Sequence, residues 1–296
     1  MAKVENKLHI IDRLDFGVIG SVFLLAIVGF YSIYVAAAND PLMGNPVKVV
    51  LVQGIWYLIS AVLVIIVMQF DAEQLFKIAP FAYGVGIFLL ISVLFLYNRA
   101  VFAETGAKSW FQLGPLTFQP SEVMKPAFIL MLARVVQIHN AEYLEHTTKS
   151  DWLLVFKMIG WLAPVAVLLK LQNDFGTMLV FFAITAGVLL VSGITWKIIA
   201  PLYGSVIAIG GAAIVLVTTP WGQGILRMLN FRAYQFDRIH SWLNPAGDTS
   251  SGAYQLWLSM KAIGSGQLFG KGITGTTVYV PVRTSDMIFS VIGENF

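Results

Sequence analysis

The chain has 296 residues, of which 57% are hydrophobic and 12% charged. An ordinary soluble domain carries about 25% charged residues, so a share this low, with apolar runs long enough to cross a bilayer, points to a polytopic membrane protein. The formal net charge of +3 comes from basic residues that form no block, which removes nucleic-acid binding, and the absence of cysteine removes disulfides and thiolate metal sites.

The segment from Met1 to Asp15 is polar and mixed in charge, with no small-residue cleavage site behind an early apolar core. The apolar run that follows, about 16–38, is therefore expected to stay as a transmembrane helix, and at ~35 Å it exceeds a hydrocarbon core of ~30 Å. Lys3, Lys7 and Arg13 precede it closely, which favours a cytoplasmic N-terminus. The loop from Asn39 to Pro46 turns the chain, and a second span is expected over about 49–70 and a third over about 81–97.

The stretch 98–121 reads as a long polar loop on the outer side, with Arg99, Glu104, Lys108, Trp110 and the turn Gly114-Pro115. Further spans are expected over about 122–138, 152–171, 175–192 and 198–218. Between them lie a hydrophilic cytoplasmic segment from His139 to Asp151, an outer turn Gln172-Asn173-Asp174-Phe175-Gly176-Thr177, and a cytoplasmic turn from Gly193 to Lys197. The segment 219–286 is the longest without a span and is expected outside as a large extracytoplasmic loop, since loops beyond about sixty residues escape the positive-inside rule. An eighth helix begins at Met287 and the sequence reads as stopping within it at Phe296, because a span needs ~20 residues. The expected architecture is thus an all-α polytopic membrane domain over 1–296, with about seven complete transmembrane helices and the start of an eighth.

Three polar clusters are expected at the outer face. They are Trp110 with Gln119-Pro120-Ser121-Glu122-Val123-Met124-Lys125; the turn around Asp174; and the loop Pro281-Val282-Arg283-Thr284-Ser285-Asp286. Each has a plain structural reading. Ser285 or Asp286 before an apolar run is an N-cap signal worth ~1 kcal/mol. Asp174 suits the first turn of a helix, and Lys170 stands one turn earlier to pair with it. Glu122 and Lys125, three apart on one helical face, can neutralise each other, and Trp110 can anchor at the membrane interface. The functional readings are a carboxylate base at the membrane surface for Asp286, a cation facing an anionic headgroup for Lys125, and a platform for a sugar or lipid for Trp110. The glycine-rich run from Gly264 to Gly272 misses the Walker spacing, although a flexible turn with Lys271 could hold a pyrophosphate. The four histidines, His9, His139, His146 and His240, show no metal-ligand spacing, so no zinc site is expected.

The ordered motifs carry a resemblance. Gly106-Ala107-Lys108-Ser109-Trp110, Gln119-Pro120-Ser121-Glu122 with Lys125, and Asp174-Phe175-Gly176-Thr177 come first. Arg238-Ile239 with Trp242-Leu243-Asn244-Pro245, Tyr254-Gln255, Ala262-Ile263-Gly264, and Asp286-Met287-Ile288-Phe289 with Ile292-Gly293-Glu294 follow. Together they make the chain resemble the SEDS family (shape, elongation, division and sporulation proteins), with overall likeness leaning to its elongation branch. The resemblance implies a ten-helix membrane glycosyltransferase that polymerises lipid II into peptidoglycan on the outer face of the cytoplasmic membrane, beside a class B penicillin-binding protein that crosslinks the strands. It puts the family's essential aspartate on Asp286 and its outer-loop tryptophan on Trp110. Glu122, Lys125, Asp174, Arg238, Lys271 and Arg283 become candidate substrate contacts. One of the cations, or a divalent metal ion such as Mg or Mn, would offset the leaving pyrophosphate. The chain departs from the family pattern at Asn173, where proline is frequent, and at Ser285 and Met287 around the aspartate. A flippase or transporter of lipid-linked precursors, and a non-catalytic scaffold of the elongation or division machinery, are the alternatives.

Overall fold

A computed structural model of the chain describes residues 14–40, 44–113, 116–145, 147–228, 243, 246, 252–272 and 278–296. The elements are α1 (Phe16–Ala38), α2 (Pro46–Val67), α3 (Ala72–Leu96), α4 (Arg99–Thr105), β1 (Phe111–Leu113), β2 (Leu116–Phe118) and α5 (Pro120–Glu142). They continue with α6 (Thr148–Leu171), α7 (Phe175–Val191), α8 (Trp196–Thr218), α9 (Pro220–Met228), α10 (Gly252–Gly266) and α11 (Ile288–Asn295). Among the described residues five helices are long and apolar enough to cross a membrane: α1, α2, α3, α6 and α8. The chain is a multi-pass membrane protein.

Helix starts follow local chemistry. The Asp15 carboxylate accepts hydrogen bonds from the backbone N–H groups of Gly17 and Val18 at 2.8 and 3.2 Å, satisfying donors that the first turn leaves without partners. Asn45 accepts from Val47 N at 2.9 Å ahead of Pro46 at the first position of α2. Two expected boundaries move. The segment expected as a loop before the third span is the first part of α3, which starts at Ala72 and runs through Pro80; the backbone N of Asp71 donates to Gln74 Oε1 at 3.1 Å. The expected fourth span is a longer helix, α5, but it carries Glu122, Lys125 and Arg134 and is not among the five apolar ones. The expected sixth span, α7, is apolar but only 17 residues long.

The chain forms two compact units, one of residues 1–69 and 210–296, the other of residues 70–209. In the second unit α3 packs along α5, and α6 and α7 complete the layer. Its core holds Leu90, Met124, Phe128, Leu132, Met158, Leu169 and Phe181, with the Phe128 and Phe181 rings edge to face at 5.3 Å. Gly86 lets α5 approach α3, because a Cβ there would run into the Met124 sulfur. In the first unit α1 packs on α2, with Phe30 against Tyr57 at 5.1 Å. The small end of α1, with Ala36 and Ala37 buried beside Val35, receives Val291 of α11. None of the residues of α2 is buried. A helix this apolar, with its residues outside the α1 contact left open, is suited to lipid.

The stretch 98–121, expected as a polar loop, contains α4 and the antiparallel hairpin β1–β2, in which Phe111 pairs with Phe118. Gly106, in the left-handed region at φ 71°, ends α4. Among its described residues, the stretch 219–286 carries the helices α9 and α10.

Candidate functional site

In the first unit the polar loop ahead of α11 is a wound turn. The backbone N–H groups of Ser285 and Met287 both donate to the carbonyl of Val282, at 3.2 and 3.3 Å. This winding holds Val282 at φ 57°, a left-handed conformation that a β-branched residue adopts only at a cost. Next to it, Arg283 turns inward and is only 2% exposed. Its guanidinium lies over the Tyr279 ring at 5.4 Å, and its Nε is 4.0 Å from Asp40 Oδ2 at the end of α1. A buried arginine is costly unless neighbours answer its charge, so this side chain ties the loop to α1. Among the described residues its Nε and Nη2 have no hydrogen-bond partner.

Asp286 is exposed at the end of this turn. The plain capping reading is not what forms: the N-cap of α11 is Met287, with no side-chain cap, and the Ser285 hydroxyl donates back to the Val282 carbonyl at 3.4 Å. Among the described residues nothing ion-pairs or hydrogen-bonds with the Asp286 carboxylate. Beside the turn lies a groove of about 370 Å³ lined by Ile33, Val49, Val52 and Trp56, with Lys48, Gln53 and Thr284 as its polar members. An apolar wall with one cation suits a lipid phosphate.

Lys271, also in this unit, is 3.6 Å from Glu294 Oε1, a buried carboxylate of α11. Two glycines of the run 264–272 serve packing: a Cβ on Gly266 would be driven into the Gly293 carbonyl, and one on Gly270 into the backbone of Asn295 and Phe296. Arg238 lies outside the described residues.

The second unit brings two of the expected clusters together. The Asp174 carboxylate accepts from Thr177 N at 3.1 Å as the N-cap of α7, and its other oxygen accepts from Gln119 Nε2 at 3.1 Å. That bond joins the start of α5 to the start of α7. Lys125 pairs with Glu122 at 2.8 Å, the neutralising i,i+3 arrangement. Trp110 is half-buried, and its carbonyl accepts from Asn98 N at 2.8 Å, which folds α4 over the hairpin. Lys108 sits over the rings of Tyr97 and Phe102 at 5.3 and 5.8 Å.

Two residues with no role assigned from sequence turn out to organise this unit. Gln172 is fully buried; its Nε2 donates to Leu90 O at 2.9 Å and its backbone carbonyl accepts from Lys108 N at 2.8 Å. Asp151, expected in a hydrophilic loop, is buried in the first turn of α6 and accepts from Thr195 N and Oγ1 at 2.9 and 2.8 Å. Its only sequence signal was a serine and threonine just ahead of an apolar run. Among the described residues no three Asp, Glu, His or Cys side chains group as a metal site.

A family model described as Cell cycle protein, spanning the FtsW, RodA and SpoVE proteins, matches residues 13–296. The chain belongs to this family. Among FtsW/RodA/SpoVE relatives, a protein of Marinobacter nauticus named probable peptidoglycan glycosyltransferase FtsW is 33% identical over 72% of this chain and 48% of its own length. The chain spans about half the length of the curated relatives it matches first, 50% and 48%. RodA of Thermus thermophilus superposes with a TM-score of 0.51 at 27% identity, over 66% of this chain and 59% of that one. A structure described as the coordination of polymerization and crosslinking by a peptidoglycan synthase complex matches with a TM-score of 0.66 and 24% identity, over 95% of this chain and 71% of that one, and speaks to fold. Family likeness thus reaches both FtsW and RodA.

Proposed function

We propose that this chain is the membrane portion of a peptidoglycan glycosyltransferase that polymerises lipid II, with Asp286 as general base. The observation that carries the reading is the Asp286 carboxylate, exposed and uncommitted at the end of a strained turn whose neighbour Arg283 is buried. Strain of this kind persists only where surrounding structure holds it, and it gathers at functional sites. The relatives' naming as peptidoglycan glycosyltransferases supplies the reaction class.

In the reaction Asp286 takes the proton of the acceptor's sugar hydroxyl. The oxygen forms a bond to the anomeric carbon of the donor chain, and the bond from that carbon to the pyrophosphate oxygen breaks with its electron pair. Undecaprenyl pyrophosphate leaves, and a neighbouring cation offsets its charge. Lys271 already faces Glu294, so it would serve as a shared rather than a dedicated charge. Arg283 would have to rotate out of its buried position to reach a substrate. On this reading the fold follows the family's ten-helix arrangement, with a cytoplasmic N-terminus and the site on the outer face, alongside a class B penicillin-binding protein.

The test is Asp286→Asn in a chain of the relatives' full length, with its partner, on purified lipid II. Loss of a general base removes roughly 10²–10⁴-fold in rate. Polymerisation at the parent rate would sink the assignment.

A further inference from the structure

Glu294 is a buried carboxylate that the proposed chemistry does not use. It stands in α11 about two helical turns beyond Asp286 and is 2% exposed. Burying a carboxylate is unfavourable unless donors and an opposite charge answer it. Here they come from three separate places. Oε1 accepts from the backbone N of Val278 at 3.3 Å, at the head of the segment that leads to Asp286. It accepts from Ser265 Oγ of α10 at 3.4 Å, and Lys271 Nζ stands 3.6 Å away.

The backbone repeats the connection. Lys271 N donates to the Glu294 carbonyl at 2.9 Å and Gly272 N to the Asn295 carbonyl at 3.2 Å. Gly266 lets α10 meet the backbone of α11 at Gly293 and Glu294, and Gly293 makes room for the Ile263 side chain. The loop bearing Asp286 is therefore held at both ends by one helix. It runs on directly into α11 at Met287, and Glu294 of that helix holds its head at Val278. Val280 between them is 1% exposed, which pins the middle of the path.

We infer that Glu294 is a positioning residue that fixes the Asp286 loop onto the platform made by α10 and Lys271. The inference rests on the reading of Asp286 as the base. Glu294 touches no reacting atom; it sets where the base stands. A misplacement of about 1 Å at a reacting group costs on the order of 10²-fold in rate, so loosening this tie lowers turnover while leaving lipid binding in place.

The chain contains no cysteine, so a nitroxide can be placed at one chosen position once any cysteine beyond residue 296 is removed. Ser285→Cys reports on the loop, and Ser205→Cys, exposed on α8, is the control. In a full-length protein, Glu294→Ala is expected to raise nitroxide mobility at 285 but not at 205. It is also expected to lower kcat on lipid II by about 10–100-fold with KM within about twofold. Glu294→Gln keeps an oxygen for Val278 and Ser265, and is expected to rescue most of both effects. If Glu294→Ala yields no folded protein, Glu294→Asp, whose shorter side chain withdraws the carboxylate from Val278 and Ser265, carries the test by the same two readouts. Unchanged mobility at 285 together with unchanged kcat overturns the inference. If mobility at 285 rises while Asp286→Asn polymerises normally, the tie stands and the catalytic reading of Asp286 falls.

Discussion

Replacing Gly266 by alanine tests the platform beneath the proposed base. A Cβ at this position would be driven into the Gly293 carbonyl and would stand 2.9 Å from both Glu294 Cα and O. Ordinary carbon–oxygen contacts lie at ~3.3–3.6 Å, so α10 and α11 must part by about 1 Å to admit the methyl group. Overpacking of this size costs about 1–3 kcal/mol, or a fall of roughly 2–5 °C in Tm. The same displacement stretches the bonds from Glu294 to Val278 and Ser265, and is expected to reduce polymerisation on the order of 10²-fold. Gly264, two positions earlier on the same helix, is an internal control: it is exposed and a Cβ there meets nothing within 4 Å. Gly264→Ala is expected to gain about 0.5–1 kcal/mol from helix propensity and to leave activity unchanged. Both variants would be followed by thermal unfolding in detergent and by glycan polymerisation on purified lipid II. If Gly266→Ala and Gly264→Ala behave alike in both assays, the close approach of α10 to α11 is refuted.

Other outcomes follow from single contacts. Asp174→Ala removes the N-cap of α7 and the acceptor of Gln119, and should lower stability by about 1–2 kcal/mol in thermal unfolding, with Asp174→Asn milder. Asp151→Ala removes the acceptor of the half-buried Thr195 N–H and hydroxyl, and a loss of about 1–3 kcal/mol should show as a lowered Tm and faster proteolysis between α7 and α8. Val282→Gly relieves a left-handed valine worth ~1–2 kcal/mol, partly offset by added chain entropy; it should leave Tm level or higher while lowering kcat through a looser turn.

Helix identity was legible because hydropathy is a local property. The first span, 16–38, coincides with α1, and the apolar run after Asp286 begins α11 within one residue of the expected start. Where polar residues lie inside a helix the local signal misled. The start of α3 carries Glu73, Gln74 and Lys77 and reads as a loop, yet the backbone stays helical because the polar face of an interfacial turn is solvated. The hairpin β1–β2 was read only as a turn at Gly114-Pro115, since strands of three residues are too short to show alternation.

The sequence by itself determined the multi-pass helical class, the positions of most helices, the family, and the residues worth testing, above all Asp286. These depend on runs of apolar residues and on motifs that are contiguous in the chain. The tertiary structure decided what each polar residue touches. It released Asp286 from capping, turned Arg283 inward toward Asp40, joined Gln119 to Asp174, and set Glu294 against Val278, Ser265 and Lys271. A carboxylate looks the same in a string of letters whether it is solvated, capping a helix or buried as a tie. Only its neighbours across the fold distinguish these states, because the cost of removing charge from water is met by partners far away in sequence.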